Sequence, residues 1–229
     1  NGGNIRAKGQ DSASAIGGPL DSDIEFRYTD RGEVYNRRQG GSITINGGIV
    51  RTEPFALPEG NPLAVTSVGI GTCHYGYGGS VTINGGTVIA EAANDAITTG
   101  DGGTITINGG DVTARGGVNN FGENSHRVLS GNGIGPLENG SITINGGIVE
   151  AFASQTSRNP HGAGIGGGSG ASASLITING GVVSADATSG YGAGIGGGSN
   201  GNGGMVIING GRVEATGGSN GGAGIGGGS

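Results

Sequence analysis

The side chains with most chemistry to offer are few, and they sit apart from the chain's repetitive segments. Phe55, Phe121, His126, Arg127, Phe152, Arg158 and His161 fall in connecting stretches of unequal length. A second group of stretches holds Phe26, Tyr28, Tyr35, His74, Tyr75 and Tyr77. Aromatic faces stack on the C–H surfaces of sugars, and Arg pairs bidentately with a uronate carboxylate. These residue types together predict polysaccharide binding, centred on Phe55, Phe121, His126, Arg127, Phe152, Arg158, His161, Tyr75 and Tyr77. The competing use of the same rings is to fold back over a thin core.

Carboxylates suggest two further chemistries. Asp21, Asp23 and Glu25 alternate along one stretch, and hard oxygen ligands at that spacing could take calcium. The glycine of a helix–loop–helix calcium loop is missing, with Arg27 in its place, and the same carboxylates could be solvated or paired with Arg31, Arg37 and Arg38. A glycosidase needs two carboxyl groups roughly 5–9.5 Å apart across the scissile bond. Asp95 and Asp101, expected on neighbouring strands, are the pair considered, but no motif orders them. Cys73 and His74 are adjacent and so point to opposite faces of a strand. Neither a phosphate-binding glycine loop nor a zinc-type Cys/His cluster occurs. The reading is therefore of a non-catalytic chain.

These residues must be positioned by the repeats. Asn-Gly-Gly occurs at Asn1, Asn46, Asn84, Asn108, Asn145, Asn179 and Asn209. The frame around it reads S-I-T-I-N-G-G-x-V-x-A, then a variable stretch, then G-A-G-I-G-G-G. Fixed blocks with unequal connections describe successive coils of one solenoid. Ile43/Ile45, Val81/Ile83, Ile105/Ile107, Ile142/Ile144, Ile176/Ile178 and Val206/Ile208 alternate with polar residues in the first block. Val50, Val88, Val112, Val149, Val183 and Val213 lead the second block, with Ile5 in the opening coil, and Ile16, Ile70, Ile97, Ile134, Ile165, Ile195 and Ile225 mark the third. The fold predicted is an all-β, right-handed parallel β-helix of about seven rungs, each with three short strands and variable loops. Right-handedness is favoured because its loops accept insertions. Residues 1–229 read as a single domain, a segment of a longer chain. The Asn-Gly-Gly corner is expected to use left-handed backbone and to stack its amides into a column.

Composition excludes the alternatives. Of 229 residues 59 are Gly and none is Trp, which no helical domain tolerates at about 1 kcal/mol per interior Gly. The Gly period of collagen is absent. The net charge is −6 with no basic stripe, which argues against nucleic acid. No apolar run approaches the ~20 residues of a membrane span.

The G-S-I-T-I-N-G-G and G-A-G-I-G-G-G blocks resemble the Gly-rich repeats of Gram-positive bacterial surface proteins. Some of these are described as carbohydrate-binding domains and are related in fold to pectate-lyase-type β-helices. The resemblance covers nearly the whole chain. It implies export to the cell surface and a polysaccharide ligand, plant or host, with calcium as a further implied partner. The edge loops then carry ligand binding.

Two other functions stay open. One is a structural or adhesive solenoid that self-associates through Leu175, Met205 and Ile207, which replace Ser and Thr on an outward ladder, or through a side-chain-free face at Gly164, Gly166, Gly194, Gly196, Gly224 and Gly226. The other is a polysaccharide lyase or hydrolase, by analogy of fold. The outward Ser/Thr ladder itself (Ser42, Ser80, Thr104, Ser141; Thr44, Thr82, Thr106, Thr143, Thr177) suits sugar hydroxyls, ice or plain solvation.

Overall fold

The computed structural model describes residues 3–8, 14–17, 26–30, 33–37, 39–54, 68–72, 76–118, 131–136, 138–154, 161–173 and 175–229. Among them the chain is all strand and turn, and it coils as a parallel β-helix. Each repeat block builds one sheet. The first blocks form a six-stranded sheet from Gln39–Ile45, Tyr77–Ile83, Thr104–Ile107, Ser141–Ile144, Leu175–Ile178 and Met205–Ile208. The second blocks form a seven-stranded sheet from Asn4–Lys8, Ile49–Glu53, Thr87–Glu91, Asp111–Arg115, Ile148–Phe152, Val182–Asp186 and Arg212–Thr216. The third sheet, also of seven strands, holds Ser14–Gly17, Val68–Gly71, Ile97–Thr99, Ile134–Pro136, Ile165–Gly166, Ile195–Gly196 and Ile225–Gly226.

Like lies over like throughout. Ile105 registers with Val81 and Ile142, Val112 with Val88 and Val149, and Ile134 with Ile97 and Ile165. Ile83, Ile107, Ile144 and Ile178 are buried from the first sheet, and Val88, Val112 and Val149 from the second. Ile70, Ile97, Ile134, Ile165 and Ile195 close the core from the third. Burying each such side chain contributes about 1.5–3 kcal/mol, and only a neighbouring coil makes the burial possible. Ile5 registers with Val50 but is exposed, and so are Ile208 and Ile225 in the coil that carries Met205–Ile208.

The predicted amide column is present. Each Asn Nδ2 donates to the Oδ1 of the preceding Asn: Asn84 to Asn46, Asn108 to Asn84, Asn145 to Asn108, Asn179 to Asn145 and Asn209 to Asn179, at 2.7–2.8 Å. The corner also uses the left-handed backbone expected of it, and one residue supplies it. The left-handed residue is the second Gly, not the Asn: φ is +91° at Gly86, +99° at Gly110 and +90° at Gly147, whereas Asn139 and Asn200 are the described non-Gly residues with positive φ. Asn is therefore required for its amide, and the turn is supplied by Gly.

The glycines of the third sheet are closely approached by backbone. Gly164, Gly166, Gly194 and Gly196 are buried. A Cβ on Gly164 would lie 2.8 Å from the Asp186 nitrogen and from the Gly194 carbonyl, and one on Gly194 would lie 2.7 Å from the Thr216 nitrogen. These glycines admit the next coil's backbone, while Gly224 and Gly226 are half-buried. An element unforeseen in the sequence is an antiparallel pair, Phe26–Asp30 with Glu33–Arg37, inserted before the first-sheet strand Gln39–Ile45.

The two glycines of one corner should respond differently to substitution. A Cβ on Gly110 would meet the Gly86 carbonyl at 2.7 Å, while one on Gly109 meets the Asn84 carbonyl at an ordinary 3.4 Å. Urea denaturation of Gly110→Ala should show a loss of about 1–3 kcal/mol. Gly109→Ala should change stability by less than about 1 kcal/mol. Equal losses would mean the corner is not built this way.

Candidate functional site

The second sheet has an inward side of Val and Ala, so its outward side is where varied residues collect. Its last outward column registers Glu91, Arg115, Phe152, Asp186 and Thr216 in successive coils. The guanidinium carbon of Arg115 lies 4.8 Å from the Phe152 ring centroid, a cation–π contact between adjacent coils. Arg115 also faces Glu91 across 3.9 Å, with both side chains partly solvated. A pair so long and so wet contributes about 0–1 kcal/mol at most, so Arg115 stays available to another carboxylate.

Just beyond this column the chain turns into the third sheet, and at that corner His161 stacks on Tyr191. The ring centroids are 5.5 Å apart and the planes differ by 11°. The two occupy equivalent places, each four residues before an aligned Ile, Ile165 and Ile195. The His161 carbonyl accepts from the Ser199 amide at 2.7 Å, which fixes the corner. Burial holds the His161 imidazole below its ordinary pKa of 6.5, and its Nδ1 has no hydrogen-bond partner. Each place thus holds one ring contact between adjacent coils, and Glu91 and Asp186 share the column of Arg115 and Phe152.

The opposite end of the same outward side is cationic. Arg6 and Arg51 register directly against each other, although like charges so placed repel. Arg6 Nε donates to Glu53 Oε1 at 2.8 Å. A cleft of about 560 Å³ opens there, lined by Asn4, Arg6, Arg51 and Glu53. A smaller groove of about 200 Å³ is lined by Ile148, Glu150, Val182, Arg212 and Glu214.

Of the residues expected to bind ligand, Phe152 stands in the outward column of the second sheet, and His161 stands four residues before Ile165 of the third. Tyr77 is with neither. It opens the strand Tyr77–Ile83 in the first sheet and bridges to Asp101, at the corner between the third and first sheets. Phe55, Tyr75, Phe121, His126, Arg127 and Arg158 lie outside the described residues, as do Asp21, Asp23 and Glu25 of the calcium reading. Among the described residues no group of three or more His, Cys, Asp or Glu gathers to hold a metal.

The carboxylate pair is also corrected. Asp95 and Asp101 flank one strand, Ile97–Thr99, rather than occupying neighbouring strands, and that strand alone spans about 10 Å. Asp95 is fully buried, out of reach of any glycosidic oxygen, while Asp101 accepts from Asn139 Nδ2 at 2.9 Å. Sequence reasoning missed Arg115, Tyr191, Arg6 and Arg51. Tyr191 could have been found, because it stands in the same place before G-A-G-I-G-G-G as His161. The Arg6–Arg51 juxtaposition needed the register.

Among the described residues no helix is long and apolar enough to cross a membrane. The family model of the β-helix repeat matches residues 81–97, 105–136, 142–169, 176–199 and 206–229, more than half of the chain. No curated protein and no solved structure matches it.

Because burial favours the neutral imidazole, His161 should titrate below 6.5 when its ring protons are followed by NMR. Folding stability due to this group is then full above 6.5 and is lost as pH falls through the lowered value. Tyr191→Ala, by uncovering the ring, should move the midpoint back toward 6.5. A midpoint unchanged by that substitution would deny the stack any part in the shift.

Proposed function

The chain belongs to the β-helix repeat family, and we propose that it is an exported, non-catalytic module that holds polysaccharide along the corner between the second and third sheets. One observation carries the reading: Arg115 contacts the Phe152 ring across one pair of adjacent coils, and His161 stacks on Tyr191 across the next pair. Sugar rings need flat apolar surfaces beside polar groups, and a polymer needs them repeated along a line. A solenoid supplies that line, because each coil advances the same edge by about 4.8 Å. Arg115, only loosely held by Glu91, suits a uronate carboxylate.

The cationic cleft at Arg6 and Arg51 supports an acidic polymer over a neutral one. The wholly buried Asp95 supports binding over cleavage, since the carboxylate pair that cleavage would draw on is divided between the two sides of one strand. Export and surface location rest on the resemblance of the glycine-rich blocks alone.

Affinity electrophoresis through gels containing polygalacturonate or a neutral glucan tests this directly. The acidic polymer should retard the protein. Tyr191→Ala and Phe152→Ala should each weaken retention by about threefold to tenfold, the size expected for one aromatic contact. Migration unchanged in every polysaccharide would end the proposal.

A second reading, a self-associating solenoid, is favoured by one specific observation. Leu175 registers with Met205, and Thr177 with Ile207, so the three apolar side chains adjoin on the outward side of the first sheet. They are 38%, 60% and 38% exposed in the single chain. If this patch joins copies, light scattering should show an oligomer that Met205→Lys dissociates. A monomer at all concentrations would remove this reading and leave the first intact.

A further inference from the structure

The entry corner of the third sheet hides a polar pair that neither binding reading uses. Two residues before the aligned Ile70, Ile97, Ile134, Ile165 and Ile195 stand Val68, Asp95, Asn132, Ala163 and Ala193, all buried. Two adjacent coils thus place Asp and Asn where the others have Val or Ala. The backbone is regular there: the Gly69 nitrogen donates to the Asp95 carbonyl at 3.1 Å, and the Ala96 nitrogen to the Asn132 carbonyl at 3.0 Å. The side chains add a second set of links. Asn94 Oδ1 accepts from the Gly131 nitrogen at 3.0 Å, and Asp95 Oδ1 from the Asn132 nitrogen at 2.9 Å.

What is left over is chemically specific. Asp95 Oδ2 and Asn132 Oδ1 are both buried and both without a hydrogen-bond partner. The Asn132 amide cannot simply be turned around, because its Nδ2 donates to the Gly166 carbonyl at 3.4 Å. Two acceptors are therefore orphaned at one corner, and what they lack is a single shared proton. An ionised carboxylate there would be a buried charge with one oxygen unsolvated, among the costliest arrangements a fold can hold.

We propose that Asp95 is a proton-carrying carboxyl that donates its Oδ2–H to Asn132 Oδ1, so that protonation closes the seam between two coils and ionisation opens it. The surroundings agree. Burial pushes the Asp95 carboxyl up from an ordinary 3.8 to about 6, against the lowering effect of the Asn132 backbone N–H. Its neighbours along the chain, Asn94 and Ala96, and Val68 and Asn132 at the same place in the adjacent coils are all uncharged. Glu91 and Arg115, the nearby charged residues, lie at the partly solvated margin. His161, held below 6.5 by burial, contributes with the opposite sign, so a comparison between variants is needed to isolate Asp95.

The sign follows from linkage. An acid whose folded pKa is raised keeps its proton in the folded chain where the unfolded chain has lost it. Its stabilisation is complete below 3.8, declines as pH rises toward about 6, and is absent above.

The test is the melting temperature of the full chain at pH 4 and pH 7.5. Asp95→Asn carries a permanent donor for Asn132, so it should melt roughly 5–10 °C above wild type at pH 7.5, with the gap closing at pH 4. Asn132→Ala, which resembles the neighbouring coils at Ala163 and Ala193, should cost stability at pH 4 and little at pH 7.5. The Asp95 carboxyl carbon, followed by NMR in wild type, should titrate near 6. A gap independent of pH, or a midpoint below about 4, would overturn the proposal. So would stabilisation of wild type but not Asp95→Asn by sodium, potassium or calcium at pH 7.5, which would make the orphan oxygen a cation ligand.

Discussion

Every coil of this protein is completed by the coil beside it, and that dependence rests on parallel register. A parallel ladder places identical residues of successive blocks about 4.8 Å apart, close enough for side chains to touch only their own kind. Branched aliphatics tolerate this because stacked Ile and Val fill space without leaving gaps. Amides gain from it, since Asn can donate upward and accept from below, as Asn84 to Asn209 do at the corner. Charges of one sign do not tolerate it, and the Arg6–Arg51 contact marks a place where repulsion is accepted. Such a column is a repeated decision about one residue type, which is why the blocks read so alike.

The same register explains the glycine content without appeal to flexibility. At the second Gly of each corner a side chain would strike the carbonyl of the preceding coil's corner. At Gly164 and Gly194 it would strike the next coil's strand. Glycine here is a spacing requirement: the coils approach until backbone meets backbone, and the buried core is correspondingly thin. The surface left for function is then what lies outside those contacts, the outward sides of the strands and the corner between the second and third sheets. Variation is tolerated there, and there the aromatic and charged residues collect.

Function and stability meet at that corner. The coil that carries Arg115 also carries Gly131 and Asn132, whose backbone nitrogens donate to Asn94 and Asp95 of the preceding coil. The outer residues make ring contacts across coils and hold their place only while the coils keep their spacing. The opposite pKa shifts of Asp95 and His161 have one cause, burial, which disfavours whichever form is charged.

Much of the architecture was legible in the residues themselves. Alternation of Ile with Thr or Ser defines strands, recurrence of Asn-Gly-Gly defines coils, and stacking of equal blocks follows because a single block cannot bury its own apolar side. The inward columns, the outward hydroxyl ladder and the amide column were all accessible on that logic. Tertiary structure decided what depends on which backbone atoms approach. It put positive φ on the second Gly instead of the Asn, brought backbone against the glycines of the third sheet, and separated Tyr77 from Phe152 and His161. It also joined Arg115 to Phe152 and Asp95 to Asn132, pairs 37 residues apart, because connections of unequal length hide such neighbours until the register is known. Periodicity is a property of the chain and can be read along it. Proximity across coils is a property of packing, and only the folded backbone supplies it.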